Sequence, residues 1–295
     1  MQARHTEERL IMTQTQETAP TVYRQAGETR FAYRDLGHDS GVPLIFLNRF
    51  RGTMDDWDPD IINRLARSRR VILFDNAGVG LSTGTTPDSV SSMAADAASF
   101  ISALADTPVD VLGFSLGGYV AQRLTLDYPG LVRKLILAGT GAGGGEQPDD
   151  DIRVHTSAPV ITREDLDFLF FAPTAAGKAA GAAHWERIHS RVPAREPELT
   201  AAALAAHIAA VGRWRTGEGS PLKQLHEIQQ PVLVANGDKD RMVPTSNSVA
   251  MQEEIPNAQL IIYPNAGHGF LFQYADLFAE HVARFLDTSW DPFAA

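Results

Sequence analysis

Six short apolar runs organise this chain: Pro43–Leu47 (PLIFL), Val71–Phe74 (VILF), Val109–Phe114 (VDVLGF), Lys134–Ala138 (KLILA), Pro231–Ala235 (PVLVA) and Gln259–Tyr263 (QLIIY). Runs of this length, apolar almost without interruption, read as strands buried on both faces. The segments between them carry a helical period instead. Val90, Met93, Ala94, Ala97, Ile101 and Leu104 share one face of a helix over Val90–Leu104, because residues three and four apart stack on the same side. Further helices are expected near Ile61–Ala66, over Leu116–Asp127 (stopped by Pro129-Gly130), and near Ser246–Glu254. A last helix carries Leu277, Phe278, His281, Val282, Phe285 and Leu286 on one stripe. Strand–helix alternation of this kind predicts an α/β fold with a doubly wound, mostly parallel sheet. Thr21–Gln25 and Arg30–Leu36 flank Ala26-Gly27, a hairpin signal that supplies an antiparallel edge at the N-terminus.

The alternation breaks between Gly139 and about Leu225. This stretch, rich in alanine and aromatic residues, is expected to form an inserted helical cap over residues 141–225, leaving the core to 20–140 and 226–290. Ala201–Val211, the most apolar part of it, is short and contains His207, so it reads as an ordinary helix rather than a membrane span. Residues 1–19 (MQARHTEERLIMTQTQETA) lack an apolar h-region, and are expected to be a disordered tail rather than a leader peptide.

Several function classes fall away on composition. Cysteine is absent, which removes disulfide frameworks, thiolate metal sites and cysteine nucleophiles together. A chain without thiols tolerates either redox environment; the expected compartment is the cytoplasm. The formal net charge is −10, so phosphate backbones and anionic lipid are repelled, and neither nucleic acid nor membrane is an expected partner. Gly139-Thr140-Gly141-Ala142-Gly143-Gly144 satisfies G-x-G-x-x-G after a strand, yet Gly145 to Asp151 (GEQPDDD) follows it with clustered acid and no helical stripe. A dinucleotide site needs a helix N-terminus at that point, so the segment reads as a hinge and no cofactor is expected. His155, His184, His189 and His207 lack the spacing of a metal site, and no metal is expected.

The strongest chemical signal is Gly113-Phe114-Ser115-Leu116-Gly117. It fits G-x-S-x-G in the required context, with an apolar strand ending at it and a helix beginning. The flanking glycines let strand and helix backbones approach closely, and the helix N-terminus favours developing negative charge. The plainer alternative is that Ser115 only caps the helix. A nucleophilic serine needs a base oriented by a carboxylate. Asn236-Gly237-Asp238-Lys239-Asp240 follows PVLVA, and Pro264-Asn265-Ala266-Gly267-His268-Gly269 follows LIIY. Both lie beyond strand ends, where open α/β sheets place their sites, in the chain order Ser, Asp, His.

On these residues the chain resembles the α/β-hydrolase fold superfamily, in its serine hydrolase branch with a helical cap, from Thr21 to Leu286. The resemblance implies that Ser115 is the nucleophile, His268 the general base and acid, and Asp240 the orienting acid, with Asp238 as its rival. It further implies an oxyanion hole from the backbone N–H groups of Leu116 and Phe50. The loop Asn48–Trp57 resembles the family's His-Gly-x loop but carries Asn48-Arg49 in place of His-Gly. Arg49 is either a ligand for a substrate carboxylate or one half of a surface ion pair. Phe168, Phe171 and Trp185 either line a substrate pocket or form the cap's own core. The implied activity is hydrolysis of a small or medium carboxylic ester, lactone or thioester. Carbon–carbon bond hydrolysis, haloperoxidase-like perhydrolysis and a non-catalytic small-ligand receptor are the alternatives; the oligomeric state is left open.

Overall fold

All the buried runs enter one sheet, whose eight strands lie within the residues described by the computed structural model, 14–289 apart from 39, 40, 149, 159 and 194. In chain order they are β1 (Val22–Ala26), β2 (Thr29–Gly37), β3 (Leu44–Leu47), β4 (Arg70–Phe74), β5 (Val109–Phe114), β6 (Val132–Ala138), β7 (Val232–Gly237) and β8 (Ala258–Tyr263). Their spatial order is β1-β2-β4-β3-β5-β6-β7-β8. The pairs β1–β2 and β2–β4 are antiparallel and the rest parallel, so the doubly wound sheet with an antiparallel N-terminal edge is present. From β3 the chain passes to β4 on one side and then crosses to β5 on the other. The crevice between the carboxyl ends of β3 and β5 is therefore the topological switch point, where sheets of this type hold their ligands.

Ten helices surround the sheet among the described residues. Before the interruption come α1 (Pro59–Ala66), α2 (Val90–Leu104) and α3 (Leu116–Asp127); within it α4 (Asp150–Thr156), α5 (Arg163–Phe170), α6 (Ala175–Ile188) and α7 (Ala201–Arg215); after it α8 (Thr245–Glu254), α9 (Phe270–Gln273) and α10 (Ala275–Asp287). The central strands β3 and β7 are buried along their whole length because both faces are covered, whereas β1 and β8 at the two edges are largely exposed or half-buried. Leu44 and Phe46 of β3 join the layer beneath α1 and α10, while Ile45 and Leu47 join the layer beneath α2 and α3. Polar caps start several of the helices: the Asp58 side chain accepts from the Asp60 N–H at α1, and Thr200 accepts from the Ala203 N–H at α7, each satisfying an N–H that the helix itself leaves open.

Two expectations need correction. Leu277 is 41% exposed, whereas Phe278, Val282, Phe285 and Leu286 are buried; one residue along a helix is about 100° of rotation, which carries Leu277 off the stripe. The tail boundary also moves. Residues 1–13 lie outside the described residues, but the stretch from 14 to 19 is part of the fold. The Gln16 amide donates to Met54 O at 2.7 Å, and Arg191 donates to the carbonyls of Gln16 and Ala19 at 3.0 and 2.9 Å. Hydrogen bonds to backbone hold this segment, and a polar sequence gives no apolar signal of such anchoring. The intervening helices are tied down similarly, through a buried Arg34 that bridges Asp55 at 2.7 Å and Glu196 at 3.0 Å.

Candidate active site

Ser115 occupies the junction between β5 and α3 with φ 56° and ψ −117°. An L-residue held there costs about 1–3 kcal/mol and persists only where neighbours over-determine it. They do. The Ser115 N–H donates to Ala138 O at 2.9 Å, while its carbonyl accepts from the Gly118 N–H at 2.9 Å and the Thr140 hydroxyl at 2.9 Å. The glycines make the bend sterically feasible: a Cβ on Gly113 would lie 2.3 Å from Gly117 O, and one on Gly117 would lie 2.0 Å from Leu47 O. The Ser115 side chain makes no capping hydrogen bond to α3. The capping alternative therefore has no support in the geometry, and the hydroxyl is left available.

The loop after β7 presents Asp240 and the loop after β8 presents His268. The His268 Nδ1 lies 2.7 Å from Asp240 Oδ2, with both side chains essentially fully buried. The other carboxylate oxygen, Oδ1, accepts from the Met242 N–H at 2.8 Å and the Val243 N–H at 2.9 Å. Three hydrogen bonds thus fix the carboxylate, and they leave Nδ1 of the histidine as donor. Asp238 points elsewhere: it accepts from the Ala266 N–H at 3.1 Å and lies 3.7 Å from Lys239 Nζ, a turn-supporting role. The His268 ring packs against Phe114 and Phe170, with centroids 4.8 and 5.4 Å apart. Its Nε2 is buried without a hydrogen-bond partner. That nitrogen and Ser115 belong to residues lining one narrow cavity of about 30 Å³, and buried polar atoms are seldom left unpaired without a purpose.

The loop after β3 forms the facing wall. Asn48, standing where the family has histidine, is fully committed: its amide donates to Phe74 O at 2.9 Å and accepts from Trp57 Nε1 at 2.6 Å. Arg49 pairs with Asp56 at 2.8 Å and donates to Phe50 O at 2.9 Å. Its charge is thereby compensated by Asp56, while the residue also lines the Ser115 cavity. Arg51 adopts φ 61°, and its N–H donates to Nδ1 of the buried His207 at 3.2 Å. Burial, reinforced by the Arg51 charge, lowers the His207 pKa to about 4, which keeps the ring neutral and able to accept. Phe50 and Leu116 both line a larger cavity of about 690 Å³ that opens beside Ser115. The Leu116 N–H is the first of α3, one of those an α-helix leaves without an intrahelical acceptor.

Phe168, Phe171 and Trp185 do not line the cavities at Ser115. Phe168 and Phe171 line another groove of about 790 Å³ together with Asp240, and Phe168 stacks on His155 with centroids 4.0 Å apart. Trp185 packs on His189 and lines a third cavity with Asp56 and Glu196. The helical turn explains this: α5 directs Leu166, Leu169 and Phe170 toward Ser115, so Phe168 and Phe171 fall on other faces. A helical stripe read from Arg163 would have found those three. Wall residues missed from sequence are Tyr119, Ile208, Val211, Arg215, Met242 and Val243. Tyr119 is four residues after Ser115, and Ile208, Val211 and Arg215 share an i, i+3, i+7 stripe, signals that become readable only once the cavity is known. Among the described residues no three metal-ligating side chains cluster, and no helix is long and apolar enough to cross a membrane.

Residues 42–275 match a protein family described as alpha/beta hydrolase fold. A poly(3-hydroxyalkanoate) depolymerase of Ectopseudomonas oleovorans is 32% identical over 254 residues, 83% of this chain and 84% of that protein. Among solved structures, an alpha/beta hydrolase fold protein from Chitinophaga pinensis superposes with a TM-score of 0.85 at 38% identity, covering 93% of this chain and 100% of that one. A hydrolase from Pseudomonas aeruginosa PA01 gives a TM-score of 0.74 at 27% identity, covering 91% of this chain and 98% of that one.

Proposed function

The chain belongs to the α/β-hydrolase family and is a hydrolase of that fold, and we propose that it is a serine hydrolase cleaving a small or medium carboxylic ester, lactone or thioester through an acyl-enzyme. One observation carries the reading: a histidine hydrogen-bonded through Nδ1 to a fixed carboxylate at 2.7 Å keeps a buried, unpartnered Nε2 beside a strained serine. Poly(3-hydroxyalkanoate), named for the 32% relative, is joined through ester bonds, which agrees with this substrate class.

In this mechanism His268 Nε2 takes the Ser115 hydroxyl proton as Oγ bonds to the substrate carbonyl carbon. The carbonyl electron pair moves onto oxygen, and the N–H groups of Phe50 and Leu116 hold the resulting alkoxide; preorganised donors of this kind are worth about 10²–10³ in rate each. Asp240 stabilises the imidazolium and holds its tautomer. Collapse breaks the bond to the leaving alcohol or thiol, which departs with the proton from His268. Water, deprotonated by His268, then attacks the acyl carbon, and release of the acid returns the proton to Ser115. The fold of the intervening helices, with α5 and α7 walling the Ser115 cavities, supports reading residues 141–225 as a cap that selects the acyl or alcohol group.

A fluorophosphonate probe tests this directly. Prompt labelling of the wild type at Ser115, lost in Ser115→Ala, is the expected result. A panel of p-nitrophenyl esters of graded chain length, lactones and vinylogous diketones then separates ester from carbon–carbon bond cleavage. Absence of labelling, or labelling that survives Ser115→Ala, refutes the nucleophile.

A further inference from the structure

The chain carries a net charge of −10, yet the two cavities that meet at Ser115 are lined by three arginines, Arg49, Arg51 and Arg215, and by no carboxylate. Two of the three are already occupied. Arg49 is paired with Asp56, and Arg51 donates to the carbonyls of Thr156 and Ala158. Arg215 differs. It lies at the C-terminal end of α7, half-buried in the wall of the 690 Å³ cavity, and among the described residues its guanidinium makes no ion pair; the buried Tyr119, a neutral group, shares that wall with it. Glu146, which shares a small adjoining cavity with Arg215, accepts instead from the Ser246 hydroxyl.

A guanidinium presents five donors in a planar fork matched to a carboxylate, and a neutral phenol in the same wall does not compensate its charge. Ile208, Val211, Met242 and Val243 make much of the surrounding wall apolar, beside the uncharged Gln147, Ser157 and Thr216. Such a lining lowers the local dielectric and strengthens an ion pair formed within it. We propose that Arg215 is a specificity-determining residue, which seats a carboxylate carried by the substrate at the opposite end of the cavity from the bond that Ser115 attacks. The substrate class is thereby an ester, lactone or thioester with an anionic terminus separated from the scissile carbonyl by a few apolar carbons. Tyr119 sets the scale: it stands four residues along α3 from Ser115, on the order of 6 Å at about 1.5 Å per residue. Tyr119 also stacks on Trp214, with centroids 5.0 Å apart, and Trp214 is anchored to Gly141 O, so the arginine is held on rigid elements. This inference rests on Ser115 being the nucleophile.

The test compares mono-p-nitrophenyl esters of α,ω-dicarboxylic acids, from four to ten carbons, with the same compounds capped as methyl esters. Each enzyme then reports a ratio of kcat/KM for anionic over neutral substrate, in which losses of folded protein cancel. The wild type is expected to favour the anionic member roughly ten- to a hundredfold at its best chain length, the worth of a charge-assisted hydrogen-bonded pair. Arg215→Gln should bring the ratio to one or below, mainly through KM, and Arg215→Lys should restore part of it. A wild-type ratio at or below one at every length overturns the proposal, as does a ratio unchanged in Arg215→Gln. Turnover of the neutral esters with fluorophosphonate labelling at Ser115 shows that such a failure is confined to Arg215. Loss of both removes the nucleophile and this proposal with it.

Discussion

Asp240→Asn isolates the electrostatic part of the site without disturbing its shape. In the native protein Oδ1 accepts two backbone N–H bonds, from Met242 and Val243, and Oδ2 faces His268 Nδ1. An asparagine amide has one acceptor end and one donor end. The two N–H groups claim the carbonyl oxygen, because the amide nitrogen there would set donor against donor. The NH₂ is thereby turned toward His268, where it can bond only to an unprotonated Nδ1. The imidazole proton moves to Nε2, and the base can no longer accept from Ser115. All three hydrogen bonds survive in number, so the melting temperature should move by only a few degrees. The rate should not survive: enforcing the wrong tautomer costs about 10⁴ in kcat, equivalent to about 5.5 kcal/mol of barrier. Steady-state turnover of the best p-nitrophenyl ester measures the loss, and ¹⁵N chemical shifts of His268 report the tautomer. A kcat within tenfold of wild type, or a larger loss in Asp238→Asn, refutes the reasoning.

The remaining expectations concern the turn at Ser115 and the buried His207. Gly117→Ala places a Cβ 2.0 Å from Leu47 O and 2.9 Å from Asn48 O, backbone that cannot yield without displacing β3 and the loop that follows it. A destabilisation of about 3 kcal/mol and loss of ester turnover should follow, whereas Gly130→Ala, with nothing within 4 Å, should change neither; equal melting temperatures for the two variants would contradict this. His207, depressed by burial to about 4, is neutral in the folded protein, while the unfolded chain protonates near the ordinary 6.5. The unfolded state therefore binds more protons between those values, and stability present above pH 6.5 is lost as pH falls toward 4, by about 3 kcal/mol in all. His184 is lowered by burial in the same sense, so the comparison must be made against His207→Gln. Denaturant unfolding should show the variant gaining on the wild type by that amount between pH 7 and pH 4, and a pH-independent difference would count against it.

Much of the scaffold was legible because its signals are local. The helices Val90–Leu104 and Leu116–Asp127 and the strand Val109–Phe114 begin and end at the expected residues, since helical period, double-faced burial and Pro-Gly breaks act within a few residues. The serine elbow, too, is written in one pentapeptide. Other features depend on neighbours brought from far along the chain. Residues 14–19 are ordered by Met54, Asn63 and Arg191, contacts that leave no periodic trace in a polar segment. Arg49 became half of an ion pair because the turn placed Asp56 within 2.8 Å, and Phe168, Phe171 and Trp185 lie outside the lining of the Ser115 cavities because α5 turns Leu166, Leu169 and Phe170 toward them and α6 contributes no side chain there.

The amino-acid sequence by itself determined the sheet, its helical cover and the order of the three chemically loaded loops, all consequences of pattern over short stretches. Which carboxylate meets the histidine, which nitrogen is left open and which cavity-lining arginine has no acidic partner among the described residues were decided only by tertiary structure. Those are differences of a few ångströms between groups distant in the chain, and pairing at that scale is set by how packed elements meet rather than by what any one of them contains.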